Sequence, residues 1–252
     1  MLKCQQKLDG NKKCHKQECG YTSFCLQHQS AGGSRRVKFE HPKNKNLYSG
    51  SGLLLIEDCY YKNKKQPCAL LFYDHYKGGY EDLGGGYEKY HENLETTTMI
   101  EAQEESANLL NVMDSKHFQG YIDRKPMPRL APNIWFRMYI MKVDKFNDHL
   151  FYQNLKHIKK QFKGKKVKKG WLEMSHVVRI PLVELFKASS KSKTVKSING
   201  SRVPISRTRM YLDKDSVKRI KRVSKMKAKK LKLTDYEGDE DFLQKTKTYY
   251  LE

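Results

Sequence analysis

The chain has 252 residues and a formal net charge of +22, with 50 Lys and Arg against 28 Asp and Glu. No apolar run approaches the roughly 18 to 20 residues that a membrane span needs, and the opening residues MLKCQQKLDG lack an apolar signal-peptide core. These features argue against a membrane-spanning or secreted protein. They predict a soluble, cytoplasmic protein whose partner is a polyanion.

Residues 1–30 are rich in Cys and His and poor in aliphatic side chains, so a metal ion is expected to hold them together. Tetrahedral Zn²⁺ suits three thiolates and one imidazole. His15 and Cys19 are possible substitutes among these ligands, and the alternative interpretation is an unfolded segment with reactive thiols. The predicted zinc ligands are Cys4, Cys14, Cys25 and His28.

Two apolar runs, residues 51–61 and 67–76, follow a linker and are separated by KNKKQ. They predict a hairpin or a pair of strands. Cys59 and Cys68 lie in these runs, and in an intracellular protein they are expected to be core thiols without a disulfide bond.

Three carboxylates within residues 93–110 share one side of a predicted helix, because Glu101, Glu104 and Glu105 follow one another at i, i+3 and i+4. Like charges at this spacing destabilise a helix by about 0.2–0.5 kcal/mol per pair. A hard divalent cation such as Mg²⁺ or Mn²⁺ would account for the cluster. The alternative is an acidic helix that faces solvent.

The later elements are a buried strand over 132–143 and, over 170–187, a strand, a proline break and a short helix. A basic helix is predicted over 215–233, with one apolar face at spacings of three. Strands and helices in this order predict an α+β fold with a mixed sheet, not a doubly wound one. The apolar face consists of Val217, Ile220, Val223 and Met226.

The glycines and glutamates of this region resemble the Nudix hydrolase signature. Gly86 is followed after five residues by Glu92, and seven further residues lead to the segment 100–108, which contains the three helix glutamates. The resemblance implies a Nudix-type α/β/α sandwich with a small N-terminal zinc module and a basic, helical C-terminal extension. The expected domains are a zinc-like module (1–30), a linker (31–48), the hydrolase domain (49–188) and the extension (189–252).

Three positions depart from the signature: Ile100 replaces its arginine, Ala107 its second glycine and Asn108 the apolar residue that follows. In the family, the arginine mainly holds a box glutamate in place, so its loss is expected to leave Glu92 without that partner. Ala107 is expected to impose a right-handed backbone where glycine would be freer.

The resemblance also implies roles for these residues. Glu101, Glu104 and Glu105 would bind Mg²⁺ or Mn²⁺, helped by a carbonyl of the glycine loop such as that of Gly85. Glu105 or Glu104 would take the proton from the attacking water. Glu173, in a segment similar to the late strand of the fold, would supply a further catalytic carboxylate.

The basic segments favour a long polyanionic substrate, since eight lysines and no acid occur in 155–170. The combination of a Nudix-like domain, a zinc-like N-terminal module and basic segments is similar to that of mRNA-decapping Nudix enzymes, especially those of large DNA viruses. Such an enzyme would act in the host cytoplasm. The alternatives are a hydrolase of diphosphoinositol polyphosphates or nucleoside diphosphates, and an inactive Nudix-fold protein that binds RNA or the cap. The predicted RNA-binding residues are Lys165, Lys166, Lys168, Lys169, Arg219 and Arg222, and the cap-stacking candidates are Trp135, Tyr139 and Trp171.

Overall fold

The computed structural model describes residues 38–88, 91–110, 113–125, 133–161, 169–188, 193–206 and 212–230. None of the helices in these ranges is long and apolar enough to cross a membrane. Within them the strands are β1 (Phe39–Glu40), β2 (Leu47–Tyr61), β3 (Lys64–Asp74), β4 (Gly79–Glu81), β5 (Leu83–Gly86), β6 (Gly120–Arg124), β7 (Ile134–Lys142), β8 (Met174–Pro181), β9 (Thr194–Lys196) and β10 (Arg202–Pro204). The helices are α1 (Leu94–Glu105), α2 (Asp148–Gln161), α3 (Leu182–Lys187) and α4 (Lys214–Ser224), with 3₁₀ turns at Ser115–His117 and Lys169–Leu172.

Strand β2 is the centre of a mixed sheet of eight strands in the described residues. The order is β4-β3-β2-β7-β6, while β1 and β5 also pair with β2, and β8 pairs with β3. The pairing of β2 with β7 is parallel, and the other pairings of the sheet are antiparallel. A separate two-stranded sheet consists of β9 and β10.

Alternate residues of β2 serve two different cores, because successive side chains of a strand point to opposite faces. Leu53 and Leu55 belong to the core that also contains residues of α1 and α2. Leu54 and Ile56 belong to a second core that contains residues of α3 and α4. Helices therefore cover both faces of the sheet, and the predicted α+β class with a mixed sheet is confirmed.

Most of the predicted elements are present. The β2–β3 hairpin turns at Lys62 and Asn63, whose φ angles of 51° and 58° match the turn type that follows the twist of paired strands. Pro181 ends β8 and stands at the N-cap position of α3, as the proline break predicts. Helix α2 was not predicted, although Phe151, Leu155 and Ile158 recur at helical spacing.

Cys59 and Cys68 form a disulfide bond, which corrects the expectation of two reduced core thiols. The two residues lie on the neighbouring antiparallel strands β2 and β3. In the register of these strands Cys68 lies opposite Glu57, and Cys59 lies opposite Gln66. Their Cα atoms are 6.0 Å apart, within the range that a disulfide spans.

Helix α4 packs against the sheet, although it lies in the part of the sequence that was expected to be an appended extension. Ile220 and Val223 are buried in the second core, beside Val195 of β9 and Ile205. Met226, the last member of the predicted apolar face, is exposed instead, because the helix ends at Ser224. Part of 189–252 is therefore integral to the main domain.

Candidate active site

Helix α1 is fixed at its start to the central strand. Asn93 is its N-cap, and the side-chain oxygen of Asn93 accepts a hydrogen bond from the backbone N–H of Thr96 at 2.8 Å. The hydroxyl of Ser51 on β2 donates to the carbonyl oxygen of Leu94 at 2.6 Å, and the hydroxyl of Thr98 donates to that of Ser51 at 2.8 Å. These bonds set the position of the helix that carries the acidic residues.

Three of the four glutamates of α1 are buried, with relative exposures of 9% for Glu101 and 3% for Glu104 and Glu105. This overturns the alternative of a solvent-facing acidic helix. Glu105 accepts a hydrogen bond from the backbone N–H of Gly84 at 2.5 Å. Buried carboxylates are costly unless they are paired, hydrogen-bonded or bound to a cation, so three on one helix indicate a specific role.

Strand β5 can approach this helix and β2 closely because it consists largely of glycine. A Cβ atom on Gly85 would overlap with the carboxyl group of Glu101, and one on Gly84 would overlap with the backbone of Gly52. Gly84 also has a φ of +147°, which glycine adopts without strain. The glycines thus form a backbone cradle beneath the carboxylates.

The donor chemistry of this cradle suits a hard divalent cation, because it offers carboxylate and carbonyl oxygens. Among the described residues, however, no three acidic, histidine or cysteine side chains converge closely enough to hold a metal ion. Glu105 instead turns towards the N–H of Gly84, so side-chain rotation is required before the carboxylates meet at one cation.

The end of α1 differs from the expectation of a right-handed backbone at Ala107. Ala107 and Asn108 have φ angles of 53° and 64°, in the left-handed region. The N–H of Ala107 donates to the carbonyl of Glu104, and that of Asn108 to the carbonyl of Gln103. This is the Schellman pattern, in which the hydrogen bonds of the helix end outweigh the cost of a left-handed alanine.

Three further positions of the signature, Ile100, Glu92 and Gly86, have different environments. Ile100 is buried at 3% exposure, whereas Glu92 is exposed and directly precedes the N-cap. Gly86 pairs with Gly50 across β5 and β2, and so belongs to the glycine cradle. At the position of the signature arginine, this chain therefore has an apolar side chain that is buried in the interior.

Glu173 lies in a second acidic cluster that the sequence did not predict. The ammonium group of Lys77 is 2.6 Å from carboxylate oxygens of Asp74 and Glu81, and 3.5 Å from one of Glu173. Glu173 directly follows the 3₁₀ turn Lys169–Leu172, which contacts α1. The turn therefore brings Glu173 to the side of the sheet on which α1 lies.

The pKa of Asp74 in this cluster is shifted by burial and by its neighbours. Burial by itself raises its pKa, but hydrogen bonds with Lys77 and Glu173 outweigh that effect and lower the pKa to about 2. The folded pKa lies below the usual value of 3.8, so the charged carboxylate stabilises the fold above about pH 4. This stabilisation is lost as the pH falls through about 2.

We expect Asp74→Asn to lower the free energy of unfolding by about 2 kcal/mol at pH 6 and by progressively less towards pH 2. Urea unfolding of the two proteins at a series of pH values measures the difference. Asp215→Asn, at an exposed residue of α4, is the matched control and should show no such trend. A difference that stays constant down to pH 2 would contradict the assignment.

Two of the three cap-stacking candidates are core residues. Tyr139 and Trp171 have exposures of 4% and 7%, and the ring of Phe118 stacks on Tyr139 with centroids 4.5 Å apart. Trp135 is partly exposed, and the ammonium group of Lys125 lies 4.7 Å from the centre of its ring. Burial leaves Trp135 as the candidate with an accessible ring.

An exposed aromatic residue that the sequence did not single out is Tyr121 on the edge strand β6, at 41% exposure. The guanidinium groups of Arg137 and Arg219 lie 4.2 Å and 5.6 Å from the centre of its ring. Arg219 and Arg222 of the predicted RNA-binding set are exposed on α4. Lys169 lies in a 3₁₀ turn. Outside the described residues lie Lys165, Lys166, Lys168 and the zinc ligands Cys4, Cys14, Cys25 and His28.

No protein-family model matches the chain, and no curated protein matches it. The chain is similar to three solved structures. A C. elegans Ap4A hydrolase has a TM-score of 0.33 and 13% identity, over 54% of this chain and 83% of that one. A MutT/nudix family protein from Listeria innocua has a TM-score of 0.34 and 14% identity, over 68% of this chain and 89% of that one. A MutT/nudix family protein from Enterococcus faecalis has a TM-score of 0.36 and 14% identity, over 73% of this chain and 65% of that one. Similarity at this level assigns no function.

Proposed function

We propose that this chain is a metal-dependent Nudix pyrophosphohydrolase that removes the 5′ cap of mRNA. The observation that carries the proposal is the burial of Glu101, Glu104 and Glu105 against the glycine cradle of β5. These are the residues that the signature places at the metal site.

Glu101, Glu104 and Glu105, with the carbonyl of Gly85, would hold Mg²⁺ or Mn²⁺. When bound, the cation would supply positive charge beside the phosphate oxygens and would lower the pKa of the attacking water. Glu105 or Glu104 would accept the proton of that water as the water oxygen attacks a phosphorus atom of the phosphate bridge in the cap. The P–O bond of the bridge breaks, and the products are 7-methylguanosine diphosphate and 5′-monophosphate RNA.

Glu173 is the further carboxylate in this proposal. Its position beside Lys77 places a cation and an anion together at the same side of the sheet as α1. Lys77 holds the Glu173 side chain in place, and Glu173 orients the attacking water or assists its deprotonation. This role makes Glu173 secondary to the three glutamates of the helix.

The choice of capped RNA among Nudix substrates is supported by the exposed basic groups of α4, including Arg219 and Arg222. RNA affinity comes largely from contacts between phosphates and cationic side chains, and unstacked bases bind to aromatic rings. Trp135 and Tyr121 are accessible rings with cationic neighbours. A structural zinc in residues 1–30 and action in the cytoplasm belong to the same proposal.

The test is hydrolysis of RNA that carries a radiolabelled cap, with products separated by thin-layer chromatography. We expect release of 7-methylguanosine diphosphate in Mg²⁺ or Mn²⁺ and none after the metal is removed with EDTA, with recovery when metal is restored. Faster turnover of diphosphoinositol polyphosphates or free nucleotides would reassign the substrate. Binding of capped RNA without turnover in any metal would support the inactive, RNA-binding alternative.

Gly85→Ala is expected to reduce cap hydrolysis by about 10²-fold, because its Cβ would displace the Glu101 carboxyl group from the cradle. Single-turnover rates of the variant and the wild type measure the effect. Gly120→Ala is the matched control, since a Cβ there meets only a methyl group of Val223 at 3.0 Å. Equal losses in both variants would show that the effect is not specific to the cradle.

A further inference from the structure

A groove of about 520 Å³ lies between α3, α4 and the start of β3, on the face of the sheet opposite to α1. Its apolar part consists of Pro67, Leu182, Val183 and Phe186. Val183 is 43% exposed, which is unusual for a large aliphatic side chain in the described part of the chain. The size and apolar walls are those of a binding site for a ligand or a few side chains of a peptide.

The rim of this groove is cationic. Lys187, Lys221 and Lys225 contribute ammonium groups, and that of Lys221 lies 5.5 Å from the centre of the Phe186 ring. One acid lies nearby: Glu184 is 3.3 Å from Lys187 and neutralises part of its charge. A complementary ligand therefore combines apolar side chains with several negative charges.

One segment of the same chain has this chemistry. Residues 235–243 read DYEGDEDFL, with five acids, two aromatic residues, one leucine and no lysine or arginine. Such a concentration of acids is exceptional in a chain of net charge +22, and none of these acids belongs to the site proposed at α1. The segment follows α4, the helix that forms one wall of the groove.

The chain between α4 and this segment is long enough for it to reach the groove. The backbone N–H of Lys229 donates to the carbonyl of Lys142 at 2.7 Å, which fixes the point of departure. Lys229 lies four residues after Lys225, so at most about 14 Å of extended backbone separates the two. Asp235 is six residues beyond Lys229 and Phe242 is thirteen residues beyond it, and these lengths of extended backbone span at most about 22 Å and 47 Å.

We propose that residues 235–243 bind in the groove between α3 and α4 of their own chain. An aromatic side chain of the segment packs against Val183 and Phe186, and its carboxylates pair with the lysines of the rim. The bound segment covers cationic groups of α4 and competes there with nucleic-acid phosphates. The proposal does not depend on the chemistry at α1.

Zero-length carbodiimide cross-linking of the full chain, followed by peptide mass spectrometry, tests this contact, because it joins carboxylates and amines that are in direct contact. We expect cross-links from the acids of 235–241 to Lys187, Lys221 or Lys225, in clear excess over those to the exposed Lys218. Equal yields at Lys218 would overturn the proposal. Cross-links that form mainly between isotope-labelled and unlabelled copies would assign the occupant to a second molecule and would also overturn it.

Val183→Asp places a negative charge in the groove at an already exposed position, and we expect it to lower the cross-link yield about fivefold or more. Met226→Asp is the matched control, because Met226 is similarly exposed but does not line the groove. As a second measurement, replacing the five acids by Asn and Gln is expected to tighten binding of single-stranded RNA at low salt. Unchanged cross-linking in Val183→Asp, or unchanged RNA affinity, would contradict the proposal.

Discussion

Replacing Glu105 by glutamine is expected to reduce release of 7-methylguanosine diphosphate by about 10³-fold. The amide of glutamine cannot take the proton of the attacking water, and it is a poorer ligand for Mg²⁺ than a carboxylate. The amide oxygen can still accept the hydrogen bond from the N–H of Gly84, so the fold is expected to be preserved. Rates with radiolabelled capped RNA, in Mg²⁺ and in Mn²⁺, measure the loss.

Glu92→Gln is the matched control for this experiment, because it makes the same chemical change at an exposed position that precedes α1. We expect it to retain most of the activity. If Glu92→Gln is as impaired as Glu105→Gln, burial against the glycine cradle is not what distinguishes the carboxylates that we propose to be catalytic. If Glu105→Gln retains full activity, another group accepts the proton.

Arg124→Met is expected to lower the free energy of unfolding by about 3–5 kcal/mol, the typical cost of removing one partner of a buried ion pair. A terminal nitrogen of Arg124 lies 3.1 Å and 3.2 Å from the two carboxylate oxygens of Asp82, and both side chains are almost completely buried. Methionine leaves the Asp82 carboxylate in the interior without this cation. Urea or thermal unfolding of the variant measures the change.

Two controls separate ion pairing from simple loss of packing. The double variant Arg124→Met/Asp82→Leu removes both charges and is expected to recover much of the stability. Lys218→Met breaks the exposed pair with Asp215 and should change stability by no more than about 1 kcal/mol. If the double variant is no more stable than Arg124→Met, loss of this ion pair is not the cause of the destabilisation.

The sequence was sufficient to predict the elements whose apolar pattern is strong and local. Leu53 to Ile56 form an uninterrupted apolar run because β2 is covered on both faces, and the proline in IPLV marks the boundary of β8 and α3. The spacing of the glutamates placed them on one side of α1. Their burial depended on the glycines of β5, which were also visible in the sequence.

Features that depend on distant pairing were not predictable. Asp74 and Glu81 are close to Lys77 in the sequence, but Glu173 is distant and lies beside Lys77 only because the β3–β4 turn adjoins the start of β8. The disulfide depends on the register of β2 against β3. Tyr139 was a candidate for stacking on the cap, but strand register turns its ring into the core between the sheet and α1.

The hydroxyl groups of Ser51 and Thr98 join the start of α1 to the central strand β2. Strand β2 is paired with β1, β3, β5 and β7, so separating it breaks the sheet at its centre. The amide protons of β2 and α1 should therefore exchange with solvent together, at the free energy of global unfolding. The acidic helix would then stay assembled through every local fluctuation of the chain, and hydrogen exchange measured by mass spectrometry would show it as a single slow unit.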